Sequence, residues 1–134
     1  MSGVPPLTGL LEVALYVDDV DRSVRFYREL FGFEVIDADQ RLSALGIGRT
    51  ALLLICQRTA SADRGAGSHH GHGEQHLAFA VPAAALPAWQ ARLEEQGVAI
   101  AETREWSRGG RSVYFRDPDR HLIELASPGV WSIY

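Results

Sequence analysis

Three residues of the sequence interrupt apolar stretches in a way that invites metal chemistry. Glu12 stands in Leu10-Leu11-Glu12-Val13-Ala14-Leu15-Tyr16-Val17, His76 opens His76-Leu77-Ala78-Phe79-Ala80-Val81, and Glu124 stands in His121-Leu122-Ile123-Glu124-Leu125-Ala126. A charge among apolar strand neighbours is costly unless it is paired or bound to an ion. Two carboxylates and a neutral imidazole form a donor set suited to Mn, Fe, Ni, Co or Zn, and with added waters to Mg. Three protein ligands leave positions for water or substrate, the form expected of catalytic rather than structural sites. A lone strand Glu is ordinarily solvated and a lone His ordinarily binds nothing, so the spacing needs support from the surrounding elements.

That support is an internal repeat. Leu11, Val13, Leu15 and Val17 fall on one face of a first strand, and Glu12, Ala14 and Tyr16 on the other. Asp19 or Asp21 then starts a helix whose stripe is Val24, Tyr27, Leu30 and Phe31, with Gly32 placed to end it. Strands follow from Phe33 to Ile36, Arg41 to Gly46 and Thr50 to Gln57. A polar, glycine-rich stretch from Arg58 to about Glu74 separates this unit from a second one. The second unit has a strand from His76 to Val81, a helix carrying Leu86, Trp89 and Leu93, and strands at Val98–Ala101, Ser112–Arg116 and His121–Ala126. Residues 12 to 17 match 76 to 81 at an offset of 64, and the second hairpins match at an offset of 70. Glu12 is then equivalent to His76, and Glu124 to Leu54.

The fold class expected is α+β. Two β-α-β-β-β modules, about 8–57 and 75–127, form a cup-shaped mixed sheet with helices on the outer face, in a single domain ending in a tail at 128–134. The cup face would carry Glu12, His76 and Glu124. Tyr16, Ser112 and Tyr114 are read as substrate-facing there, and Arg111 as a contact for an anionic group. Of the cluster His69-His70-Gly71-His72, His69 is read as closing over the cup, because it begins the return toward His76. His121 alternates away from Glu124 and is read as structural. No residue is assigned a catalytic role.

Composition sets the outer bounds. The chain of 134 residues has room for one core, and its net charge of −4 comes with arginines scattered among acids and no lysine. No basic face for nucleic acid is evident. No apolar run approaches the ~20 residues of a membrane span, and the N-terminus lacks signal-peptide character, so a cytoplasmic location is expected. The single cysteine, Cys56, excludes an intrachain disulfide and is read as a buried apolar side chain. Open sheet edges lead to the expectation of a homodimer.

The sequence resembles the vicinal oxygen chelate superfamily, which includes glyoxalase I, bleomycin-resistance proteins, extradiol dioxygenases and fosfomycin-resistance transferases. The resemblance rests on the segments from Tyr16 to Phe33, His76 to Val81 and Gly110 to Leu125, the second hairpin reading Phe115-Arg116-Asp117-Pro118-Asp119-Arg120-His121-Leu122-Ile123-Glu124-Leu125. It implies a divalent metal held by Glu12, His76 and Glu124 that chelates two adjacent oxygens of a small substrate as a Lewis acid. It implies a substrate-touching role for Tyr114, matching a tyrosine of fosfomycin-resistance relatives. Two departures stand out. Position 12 is often His in active members, and position 54, a Glu in glyoxalase I, is Leu, which argues against glyoxalase I itself. Lyase, isomerase, transferase and dioxygenase chemistry remain open. The alternative is a metal-free, small-molecule (drug) binding protein of the bleomycin-resistance type.

Overall fold

The computed structural model describes residues 3–58 and 71–134. The elements run β1 (Glu12–Val17), α1 (Val20–Phe31), β2 (Glu34–Ala38), β3 (Leu42–Ile47), β4 (Ala51–Gln57), β5 (His76–Ala80), a 3₁₀ turn (Ala83–Ala85), α2 (Leu86–Glu95), β6 (Ile100–Glu105), β7 (Arg111–Arg116) and β8 (Leu122–Ala126). Two four-stranded mixed sheets result, ordered β1-β4-β3-β2 and β5-β8-β7-β6. This is the expected α+β architecture of paired modules.

Local chemistry explains the first unit. The Asp19 side chain accepts from the Arg22 N–H at 3.1 Å and caps α1. Gly32 adopts φ 73° and returns its N–H to the Arg28 carbonyl at 2.8 Å, ending the helix. Tyr27 and Leu30 are buried, with Val24 and Phe31 packed at the margin. Leu10 and Leu11, expected in the first strand, instead precede it and are exposed.

The register makes the internal repeat concrete. Ala14 pairs with Leu54 across β1 and β4, and Ala78 pairs with Glu124 across β5 and β8. Ala44 faces Leu54 where Tyr114 faces Glu124. The equivalences of 12 with 76 and 54 with 124 therefore hold in the backbone. Each module also carries one register irregularity, at Val35/Asp37 in β2 and at Ile100/Glu102 in β6.

Strand β6 begins later and runs further than the Val98–Ala101 expected, and every one of its residues is exposed. It is an edge strand held by pairing with β7, so its sequence lacks apolar alternation. The tail folds back on its own chain. The Tyr134 hydroxyl donates to the Ala126 carbonyl at 2.9 Å, with the Val81 carbonyl at 3.2 Å.

One core joins the modules. Phe31 lies against Phe33, Phe79, Trp89 and Phe115. Arg92 of α2 donates to the Leu30 and Glu29 carbonyls at 2.6 and 2.7 Å, serving the open C-terminal end of α1. The Asp117–Arg120 turn reaches the other end of the same helix. Asp119 accepts from the Asp18 N–H at 2.9 Å and the Ser23 hydroxyl at 3.1 Å, and pairs with Arg22 at 3.2 Å. Asp117 accepts from the buried Tyr27 hydroxyl at 2.7 Å.

Asp119→Ala leaves the Asp18 N–H and the Ser23 hydroxyl without their acceptor. The variant is expected to lose about 2 kcal/mol of stability in urea unfolding. Stability equal to the parent's would show that the turn does not hold the modules together.

Candidate metal centre

The parallel pairing of β5 with β8 sets His76 diagonal to Glu124, two residues along the neighbouring strand. Their side chains meet, with His76 Nε2 3.1 Å from Glu124 Oε1. His76 Nδ1 lies 2.9 Å from the Leu122 carbonyl oxygen. A carbonyl can only accept, so the ring proton is assigned to Nδ1. In the neutral ring Nε2 then presents a lone pair to the carboxylate oxygen. Two acceptors at this distance repel unless a cation, a proton or a metal ion, serves both.

The carboxylate is well buried and the imidazole is open to solvent on one side: their side chains are 8% and 50% exposed. The second carboxylate oxygen is held from below. Ser112 donates to Glu124 Oε2 at 2.6 Å, and Trp106 Nε1 donates to Ser112 Oγ at 2.9 Å. Tyr114, paired with Glu124 on β7, is buried and its ring stacks near His76 at 6.4 Å between centroids. Burial and the neighbouring Glu124 charge push its phenol above the usual range, so the hydroxyl stays protonated and available as a donor.

The other expected site residues are placed as follows. Glu12 is exposed at the start of β1, opposite Leu52. Among the described residues no third Asp, Glu, His or Cys joins His76 and Glu124 within the chain. Tyr16 lies on the face of Glu12, and its phenol is raised by burial and by Cys56. Arg111 alternates to the face opposite Ser112 and shares a surface recess with Leu86 and Gln90 of α2. His69 lies outside the described residues. His121 is fully buried, accepting from the Gln75 N–H at Nδ1 (2.9 Å) and donating from Nε2 to the Tyr16 carbonyl (2.9 Å).

Trp106 was not singled out by sequence, because it sits between strands, where alternation gives no direction. The face of module one that corresponds to the His76–Glu124 face is apolar. Leu54, Ala44 and Cys56 are buried there, with Ala14, Tyr16, Leu42 and Leu52 around them.

Residues 9–125 match the model of the Glyoxalase/Bleomycin resistance protein/Dioxygenase superfamily. The chain is 30% identical over 121 residues to metallothiol transferase FosB of Shouchella clausii, covering 89% of this chain and 80% of that protein. It is 31% identical over 122 residues to fosfomycin resistance protein FosX of Listeria monocytogenes, covering 89% of each. A crystal structure of lactoylglutathione lyase from Agrobacterium tumefaciens superposes with a TM-score of 0.86 at 29% identity, covering 96% of this chain and 99% of that one.

Cys56 stands on the apolar face as an inert thiol. Burial, with Asp39 and Glu12 nearby, pushes it up to about 11. Iodoacetamide at pH 8 is expected to leave it unmodified in the native protein and to label it after unfolding, as read by intact mass. Rapid native labelling would place the thiol in solvent.

Proposed function

Since the chain belongs to the Glyoxalase/Bleomycin resistance protein/Dioxygenase superfamily, we propose that it is a divalent-metal-dependent enzyme acting on a small molecule with two neighbouring oxygens. The observation that carries the reading is the confrontation of His76 Nε2 with Glu124 Oε1 at 3.1 Å, two acceptors that a cation reconciles. The residues fit a first-row divalent ion: a nitrogen fixed by its Nδ1 partner and an anionic oxygen fixed by a buried hydroxyl.

Glu12 is the third ligand in this reading. It occupies in module one the register position that His76 occupies in module two. It does not reach His76 within one chain, so it is supplied by a second copy in a homodimer. When bound, the ion supplies Lewis acidity to the substrate oxygens.

The protein's own groups have separate tasks. The Tyr114 hydroxyl, kept protonated, donates to a substrate oxygen beside Glu124. The apolar face around Leu42, Leu52 and Leu54 packs on the carbon frame and excludes water. Leu54 stands where a fourth ligand would be, so ligation is limited to three side chains and the four-ligand glyoxalase I arrangement is disfavoured.

One observation also favours a metal-free binding protein. A proton on His76 Nε2 satisfies the same contact, leaving a closed polar cluster beneath a ligand cup. Titration separates the two. The parent protein is expected to bind one Mn(II), Ni(II) or Zn(II) per chain, and Glu124→Gln to abolish tight binding. Unchanged metal content in Glu124→Gln would sink the site.

The shared origin of the ligands has its own test. Glu12→Gln and His76→Ala dimers, each deficient in metal binding, are mixed and allowed to exchange subunits. A site built across two chains regains part of its binding capacity in the mixture. A site within one chain regains none.

A further inference from the structure

We infer that Trp106 and Ser112 form a positioning pair that fixes which oxygen of Glu124 faces His76 and so sets the affinity for the ion. This rests on the metal-dependent reading above.

The direction of each bond follows from the chemistry of its donors. An indole N–H can only donate, so at 2.9 Å from Ser112 Oγ it fills acceptor capacity of that hydroxyl. The hydroxyl has one proton, and the carboxylate Oε2 lies 2.6 Å away. The proton therefore goes to Glu124, as a short, charge-assisted bond. Ser112 is 1% exposed, so water does not compete for either contact. Oε2 is held, and Oε1 is left toward His76.

The pair is itself anchored. The Arg104 guanidinium lies over the Trp106 ring at 5.1 Å, and the backbone N–H of Trp106 donates to the Gly110 carbonyl at 2.8 Å. The indole is thus tied to the β6–β7 hairpin, the Ser to β7 and the carboxylate to β8.

Module one provides an internal control. Ser112 pairs with Ala126, and its counterpart Leu42 pairs with Cys56. Where Glu124 is replaced by Leu54, Ser112 is replaced by Leu42. The hydroxyl is present only in the module that has a carboxylate to orient. A serine serving only as strand filler has no reason to follow the carboxylate in this way.

Outer partners of ligands typically contribute about 10- to 100-fold in metal affinity. Ser112→Ala is expected to weaken Mn(II) binding by about that factor in a calorimetric titration, and Ser112→Thr, which keeps the hydroxyl, to recover most of it. Trp106→Phe, which removes the N–H but keeps an aromatic ring, is expected to weaken binding by a smaller factor. Thermal unfolding of each variant checks that it is folded.

The second readout is the indole N–H resonance of Trp106. It is expected to shift in Ser112→Ala, and in the parent on adding Zn(II), while those of Trp89 and Trp131 stay in place. If the parent binds Mn(II) and folded Ser112→Ala and Trp106→Phe bind it equally well, the positioning role is overturned and the metal-dependent reading stands. If the parent binds no ion, both fall.

Discussion

Two carboxylates in the turn between β7 and β8 hold the architecture together. Asp119 enters the first turn of α1 and accepts from Asp18 and Ser23 while pairing with Arg22. Burial pushes its pKa up, but those three partners outweigh burial and hold it below the usual carboxylate range. Asp117 behaves oppositely. Burial raises it despite the Tyr27 hydroxyl and the turn's own N–H groups. The pair is costly to desolvate, and only the full set of donors makes the arrangement favourable. His121 extends the clamp by joining the Gln75 N–H to the Tyr16 carbonyl. The segment that docks module two onto module one runs straight into β8, so the same few residues determine where Glu124 stands.

This coupling explains the division of labour between the sheets. Each module uses its helix-facing side for the common core, where Leu15, Leu53, Ile55, Val113, Phe115 and Ile123 are buried. Its other side is free to differ. Module two puts a carboxylate, an imidazole and a hydroxyl there. Module one puts Leu42, Leu54 and Cys56 at matching positions. Repeated backbones thus carry unlike chemistry, one polar and one apolar, without any change in strand order.

Much of this was legible because the signals are local. Alternation assigned the faces of β1, β5 and β8, and Asp19 and Gly32 marked both ends of α1. The offsets of 64 and 70 placed Glu12 with His76 and Leu54 with Glu124, and the strand register has the same equivalences. What escaped depended on distant partners. Strand β6 exists because β7 pairs with it, so its exposed Ile-Ala-Glu-Thr-Arg-Glu run has no period to read. The tail carries no periodic signal, and its docking through Tyr134 depends on carbonyls of Val81 and Ala126. Ser112 shares the face of Tyr114 as alternation implied, but its partner is Glu124 rather than a substrate-facing void.

The position of Glu12 illustrates the limit of symmetry as an argument. Equivalence of 12 and 76 by register says that both side chains emerge on the same relative face of their sheets. It does not say that the two faces meet within one molecule. Helix packing brings the modules together through their outer sides, centred on Phe31, Phe79 and Phe115. That packing fixes the direction in which each inner face looks. β1 and β5 are moreover edge strands, so residues 12 and 76 sit where each sheet ends. Near Tyr16 the edge of β1 is covered by Gln75 and His121. Glu12 lies at the opposite, exposed end of the strand. A carboxylate left there satisfies itself with water at little cost, whereas the buried Glu124 must find donors. The two glutamates therefore differ in kind: Glu124 is held within the chain by Ser112 and His76, and Glu12 stands exposed at the open end of β1.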